Sequence, residues 1–155
     1  MAAIGRRFFI GAALLLMSSA VVSRPLLADK SGDVRAGVGY FANAMSAGEP
    51  ADAMSVFDKS CPKYEAIRQN IEGLTNAFDL NNEVDVTAEE STDGSTKLTL
   101  NWTLTLTDRF SNEAERRTGE VTVTFAQKNG KWMIVDLAPI DFFSSPLKKP
   151  MQKRY

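Results

Sequence analysis

The sequence predicts a single α+β domain in which three N-terminal helices pack on a curved, four-stranded antiparallel sheet. The first observation is a change in apolar periodicity near residue 80, from helical spacing to alternation. The second is the order of the elements, because helices followed by consecutive antiparallel strands are typical of α+β proteins. The third is Lys128-Asn129-Gly130 between two apolar segments, where Asn-Gly supplies the positive φ of a tight hairpin.

Three helices are predicted before residue 80. Asp33 is a candidate N-cap for the first helix, and Gly48 follows its expected end as a C′ glycine does. Pro50 opens a short second helix, and Ser60 or Cys61 caps a third. Apolar residues at helical spacing are expected to face the core: Val34, Val38, Phe41 and Met45 in the first helix; Met54 and Phe57 in the second; Tyr64, Ile67, Ile71, Leu74 and Phe78 in the third.

Four strands are predicted after residue 80. In the clearest strand, four leucines and Trp102 alternate with polar residues, which predicts one buried and one exposed face. The segment from Trp132 to Leu137 is apolar on both faces, which favours a central or doubly covered strand. We therefore expect both tryptophans to be buried. The other strands are marked by the alternating residues Val84, Val86 and Ala88, and by Val121, Val123 and Phe125.

Residues 1–28 have the order of a secretory signal peptide. Arg6 and Arg7 precede an apolar run that is too short to span a bilayer, and small residues suited to cleavage follow. The twin arginines also resemble a twin-arginine export signal, although Gly5 stands where a polar residue is usual. We expect an exported, periplasmic or extracellular protein without stable membrane insertion after signal removal. The alternative is that this segment is retained as a membrane anchor.

The rest of the chain is acidic. The sequence has 18 Lys and Arg against 19 Asp and Glu, and removal of Arg6, Arg7 and Arg24 leaves 15 against 19. Four more cations lie in residues 146–155, which we interpret as a flexible basic tail. The single domain, residues 29–145, then has 11 basic and 19 acidic residues, a net charge of −8. This charge argues against nucleic acid as a partner.

The predicted elements resemble the nuclear transport factor 2-like superfamily, whose cone-shaped fold includes ketosteroid isomerase and the SnoaL-like cyclases. The resemblance covers residues 33–143. It rests on three helices, a long curved sheet and the closing hairpin with Gly130-Lys131-Trp132-Met133-Ile134. It is a pattern of elements, without a catalytic motif. The alternative is a cystatin-like fold with a helix on a sheet.

Histidine is absent from the sequence, which excludes Ser-His-Asp and Cys-His triads and other histidine-based acid–base catalysis. It also removes a principal zinc ligand, and we expect neither a metal nor another cofactor. Cys61 is the only cysteine, so it cannot form an internal disulfide, and no histidine can activate it. We interpret it as a cap or a small core residue.

The resemblance to ketosteroid isomerase makes a carboxylate and a tyrosine in an apolar cone the catalytic candidates. The residues for comparison are Asp136, Tyr40 and Tyr64, with Asp141 as a further carboxylate. Asp136 shares the parity of Trp132 on the last strand, so it points into the cone if that face is buried. If the other face is buried, Asp136 lies on the sheet surface, which is the interpretation we prefer.

A set of aromatic side chains is expected either to line an apolar pocket or to fill the core. The predicted function is an exported, non-catalytic binding or interaction module, and the sequence does not identify its ligand. A small apolar ligand is one candidate partner. One alternative is an isomerase-type enzyme. Another is a homodimer formed through the face of the sheet that carries Thr99, Thr103 and Thr105. The aromatic candidates are Phe41, Phe57, Phe78, Trp102, Phe125 and Trp132.

We predict that the mature protein begins near residue 21, 24 or 29, because Ala20, Ser23 or Ala28 then precedes the cleaved bond. Intact-mass analysis of the extracytoplasmic fraction measures this N-terminus. A full-length chain retained in the membrane pellet contradicts the prediction.

Overall fold

The computed structural model describes residues 26–146 and confirms the α+β fold. Residues 1–25 of the predicted signal peptide and 147–155 of the predicted tail lie outside the described residues. Between residues 26 and 146, no helix has the length and apolarity needed to cross a membrane. The elements are α1 (Leu26–Ser46), α2 (Pro50–Met54), α3 (Tyr64–Ala77), β1 (Phe78–Thr92), β2 (Ser95–Asp108), β3 (Ala114–Lys128), β4 (Lys131–Ala138) and a 3-10 helix (Ile140–Phe143).

The four strands form one antiparallel sheet in the order β1-β2-β3-β4. The alternation predicted for β2 is confirmed, because its four leucines and Trp102 are fully buried. The β3–β4 hairpin is confirmed as well: Asn129 and Gly130 have φ values of 51° and 78°. The helices cover the buried face of the sheet, while the opposite face, which we call the outer face, carries the alternating polar residues of β2.

The predicted helix ends were wrong in three places. α1 begins at Leu26, so Asp33 lies inside the helix and is not its N-cap. The N-cap of α3 is Lys63 rather than Ser60 or Cys61, because the carboxylate of Asp58 accepts the Ser60 backbone N–H in a separate turn. Phe78 is the first residue of β1, not the end of α3.

The last strand was predicted to be central or doubly covered, and the central position is wrong, because β4 is an edge strand. Its edge is partly covered by the segment after α2, which forms a parallel bridge between Phe57 and Ile134. The Asp58 backbone N–H donates to the Ile134 carbonyl at 2.8 Å, and the Ile134 N–H donates to Val56, also at 2.8 Å. Ile134, in the middle of this edge strand, therefore has backbone hydrogen-bond partners on its outer side, as a residue of an inner strand does.

The opposite edge of the sheet is protected in another way. β1 exposes the acidic side chains of Glu83, Asp85 and Glu90. Charged residues on an edge strand discourage pairing with another strand, and like charges repel a second copy of the same edge.

Trp102 lies at the centre of an aromatic cluster in the core. Its ring packs edge to face on Phe41 of α1, with centroids 5.8 Å apart, and on Phe143, at 5.2 Å. Its cross-strand neighbour is Gly119, where a Cβ would lie 3.3 Å from the ring of Phe142. Trp132 was expected to be buried too, but it is half-buried at the sheet margin, where the Lys30 ammonium lies 5.0 Å from its ring centroid.

The C-terminal 3-10 helix is held against the sheet by Arg117 of β3. The guanidinium donates to the Phe142 carbonyl at 2.9 Å and to the Ser144 carbonyl at 2.5 Å. It also pairs with Glu115 at 2.6 Å. These bonds keep Phe143 inserted in the core, where it is buried.

We predict that Trp102→Ala lowers the free energy of unfolding by about 3–5 kcal/mol, because it leaves a cavity in a close-packed core. The matched variant Trp132→Ala should lower it by at most about half as much, since that ring is only half-buried. Urea denaturation of both variants measures the difference. Equal losses would show that Trp102 does not hold the centre of the core; if Trp102→Ala does not fold, Trp102→Phe provides the comparison.

Candidate functional site

Asp136 lies on the outer face of the sheet. A β-bulge separates the pair Phe125–Ile134 from the pair Thr124–Asp136, and it inserts Val135 between the two paired residues of β4. Ile134 therefore faces the core, whereas Asp136 shares a face with Thr124. The carboxylate pairs with Lys63 at 3.1 Å, and its side chain is 47% exposed. The apolar surroundings that a catalytic carboxylate of the isomerase type needs are therefore absent at this described position.

The other catalytic candidates are not in the core either. Tyr40 projects from α1 and is 49% exposed. Tyr64 is half-buried at the start of α3, and Asp141 is exposed in the C-terminal 3-10 helix. Among residues 26–146, the structure therefore does not bring a carboxylate and a tyrosine together on the buried face of the sheet. Cys61 is buried with a free thiol.

Most of the aromatic pocket candidates fill the core. Phe41, Trp102 and Phe125 have no exposed surface, and Phe57 is 2% exposed. Phe41 packs edge to face on Phe57, with ring centroids 5.2 Å apart. Phe78 and Trp132 are partly buried and pack against this cluster. The concave face of the sheet is thus occupied by the chain's own side chains.

An open cleft of about 730 Å³ lies outside this core. It is bounded by α2 and the segment after it, by α3, and by the β3–β4 hairpin. Tyr64 and Phe57 are the two members of the predicted sets that line it. Its apolar lining consists of Pro50, Ala51, Met54, Phe57 and Met133, and its charged lining consists of Asp58, Lys59, Arg68, Glu72, Lys128 and Lys131.

Arg68 is a charged residue of the cleft whose guanidinium already donates hydrogen bonds within its own helix. Its guanidinium donates to the carboxylates of Glu65 and Glu72 along the exposed side of α3. Glu65 first, and then Glu72, hold the pKa of Arg68 above its ordinary value. The same contact with Arg68 lowers the pKa of Glu65. The charge of Arg68 is therefore largely compensated within the helix.

Asp58 is also engaged locally. The Ser60 hydroxyl donates to its carboxylate at 2.6 Å and the Ser60 backbone N–H at 2.8 Å. These two bonds are the main cause of a pKa below the ordinary value of 3.8, and the charge of Lys128 lowers it further. At neutral pH Asp58 is thus a carboxylate held in a turn at the margin of the cleft.

The cleft was missed from the sequence, because its lining comes from three separate segments of the chain. One signal was available: Lys128 and Lys131 flank the Asn129-Gly130 turn in an otherwise acidic domain. Within residues 26–146, no group of three or more Cys, Asp or Glu side chains is arranged to hold a metal ion. The lining offers apolar surface and charged groups, with which a bound molecule can make apolar and ionic contacts.

Comparison with protein-family models finds one match, over residues 42–142, to the C-terminal domain of the anti-sigma-I factor RsgI9. No curated protein matches the chain in sequence. The matched region includes all of α2, α3 and the four strands, and hence every residue that lines the cleft.

Solved structures show the same fold at low sequence identity. A nuclear transport factor 2-like superfamily protein from Salmonella enterica serovar Typhimurium is 17% identical, with a TM-score of 0.61 over 83% of this chain and 99% of that one. A conserved protein from Planctomyces limnophilus is 10% identical, with a TM-score of 0.64 over 70% and 92% of the two chains.

A third similar structure bears on the two predicted folds. It is a nuclear transport factor 2-like protein with a cystatin-like fold from Novosphingobium aromaticivorans, 10% identical, with a TM-score of 0.59 over 72% of this chain and 81% of that one. The nuclear transport factor 2-like fold predicted from the sequence is confirmed, and the cystatin-like description applies to a protein of the same fold.

Proposed function

This chain belongs to the family of the C-terminal domain of the anti-sigma-I factor RsgI9, and from that premise we propose that it is an exported, non-catalytic binding domain. The observation that carries the proposal is the position of the open space. The concave face of the sheet is filled by aromatic side chains, whereas the cleft is open and combines apolar and charged groups. Ligand sites in proteins commonly have this combination.

The proposal of binding without catalysis is supported by the residues that are available. The sequence has no histidine, and the candidate base Asp136 is half-exposed and paired with Lys63. The order of charged, apolar and small residues in residues 1–28 supports export. Because the matched relative is an anti-sigma factor, we propose that ligand binding serves a sensing role, in which occupancy of the cleft is the signal.

We predict that small amphiphiles with a chain of about ten carbons bind in the cleft. The probes are decanoate, decanol and decyltrimethylammonium, whose alkyl chains differ by no more than one carbon and whose head groups differ in charge. Binding should shift the NMR signals of the Met54 and Met133 methyl groups, which line the cleft, and leave Met45, which is fully buried in the core, unchanged. Methyl-labelled mature protein provides the measurement.

A pair of matched variants tests the location. Ala51→Trp places an indole in the cleft and should abolish the shifts, whereas Ala66→Trp adds the same side chain at an exposed position of α3 outside the lining. Asp136→Asn removes the candidate base and should leave binding unchanged. Shifts that survive in Ala51→Trp, or an absence of shifts with all three probes, would contradict the cleft as the ligand site.

The second candidate function is self-association through the outer face of the sheet, favoured by its threonine-rich surface. Thr103 of β2 and Thr118 of β3 are cross-strand neighbours with hydroxyl oxygens 3.2 Å apart. Short, β-branched side chains form a flat surface on which a second sheet can pack. The threonines on this face are Thr99, Thr103, Thr105, Thr107, Thr118, Thr122 and Thr124.

If this face forms a homodimer, Thr103→Arg should shift the monomer–dimer equilibrium toward monomer, because it places a long cation in the middle of the flat surface. Thr92→Arg is the control, since it adds the same charge at the exposed β1–β2 turn. Sedimentation equilibrium of the mature protein measures both variants. A wild-type protein that stays monomeric at every concentration examined rules out this function.

A further inference from the structure

We propose that the cleft recognises an anionic amphiphile: a small molecule with an apolar chain or ring and a carboxylate or phosphate head group. This inference rests on the proposed binding function and adds the chemical class of the ligand. The apolar part would lie on Pro50, Ala51 and Met133, the apolar lining residues with exposed surface. The head group would lie near Lys59, Lys128 and Lys131.

The distribution of unpaired cations carries the inference. The segment from residue 29 to 145 has a net charge of −8, so carboxylates outnumber the cations available to pair with them. Even so, six cationic side chains between residues 26 and 146 have no carboxylate of that same range within 4.0 Å. Three of the six line this one cleft. The six are Lys30, Lys59, Lys97, Arg116, Lys128 and Lys131.

The two carboxylates of the cleft lining offset only part of its positive charge, because four cations line the cleft against two carboxylates. The Glu72 carboxylate accepts a hydrogen bond from Arg68 at 2.5 Å. Asp58 accepts two hydrogen bonds from the neutral Ser60 and keeps its negative charge, which Lys128 also stabilises. Lys59, Lys128 and Lys131 are exposed, and each has a flexible stem that lets the ammonium approach a head group. The cleft therefore attracts negative charge on a domain that otherwise repels it.

The apolar lining of the cleft indicates the other half of the ligand. Pro50 and Met133 are half-buried and Ala51 is exposed, whereas Met54 and Phe57 are almost fully buried. Methionine side chains adapt to apolar groups of different shape, because they are unbranched and polarisable. A volume of about 730 Å³ is in the range of small-molecule sites. An inorganic anion alone would leave this apolar surface unused.

The test compares head groups on chains of nearly the same length, using the mature protein and the shifts of the Met54 and Met133 methyl groups. Decanoate should bind about fivefold more tightly than decanol, and decyltrimethylammonium should bind more weakly than either. Added salt should reduce the preference for decanoate. Decyl phosphate distinguishes the two sources of negative charge: tighter binding than decanoate indicates a phosphate ligand, and weaker binding indicates a carboxylate.

A matched pair of double variants tests the residues. Lys128→Gln with Lys131→Gln should weaken decanoate binding about fivefold and leave decanol binding unchanged. Lys97→Gln with Arg116→Gln removes the same total charge from the outer face and should leave decanoate binding unchanged. Thermal unfolding of each variant confirms that it is folded.

The outcomes separate this inference from the function on which it rests. Equal binding of decanoate and decanol, or equal weakening by both double variants, overturns the preference for an anion while the binding function stands. No methyl shift with any of the four probes overturns the cleft as a ligand site. A preference for decanoate that is lost only in the Lys128 and Lys131 variant supports the inference.

Discussion

The position of the Trp102 indole is the constraint on which the rest of the packing depends. Its ring contacts Phe41 of α1 and Phe143 of the C-terminal 3-10 helix, so one side chain joins both ends of the domain to the middle of the sheet. Its Nε1–H donates to the Asn82 side-chain oxygen at 2.8 Å, and Asn82 donates in turn to the Ala42 carbonyl at 3.3 Å. The polar atom of a buried ring is thus satisfied by a second link to α1.

Much of the fold could be predicted from the sequence where a pattern is local. The alternation in β2 identified the buried face, and Asn129-Gly130 identified the hairpin, because both depend on short-range geometry. The position of β4 could not be predicted in this way. The outer edge of β4 is covered by the segment around Phe57, which is about 77 residues away along the chain from Ile134. The apolar pattern of β4 cannot distinguish this covering segment from a neighbouring strand.

The candidate site was less accessible to sequence reasoning, for two physical reasons. The bulge at Val135 reverses the face of the sheet on which Asp136 lies. The sequence of β4 gives no sign of this bulge, because it contains neither glycine nor proline. The cleft, in turn, exists only where helices and a hairpin meet. Its lysines, such as Lys59 and Lys128, resemble ordinary surface residues until the fold brings them together.

The bridge between Phe57 and Ile134 has a consequence for how another molecule can approach β4. Many proteins accept an extended peptide as an additional strand, which is held mainly by main-chain bonds and therefore tolerates varied sequences. On β4 the middle of that position is occupied by Val56 to Asp58, whose backbone already satisfies Ile134 in both directions. A visiting peptide would have to displace this segment. Recognition of another molecule at this edge therefore depends on side-chain contacts rather than on main-chain hydrogen bonds.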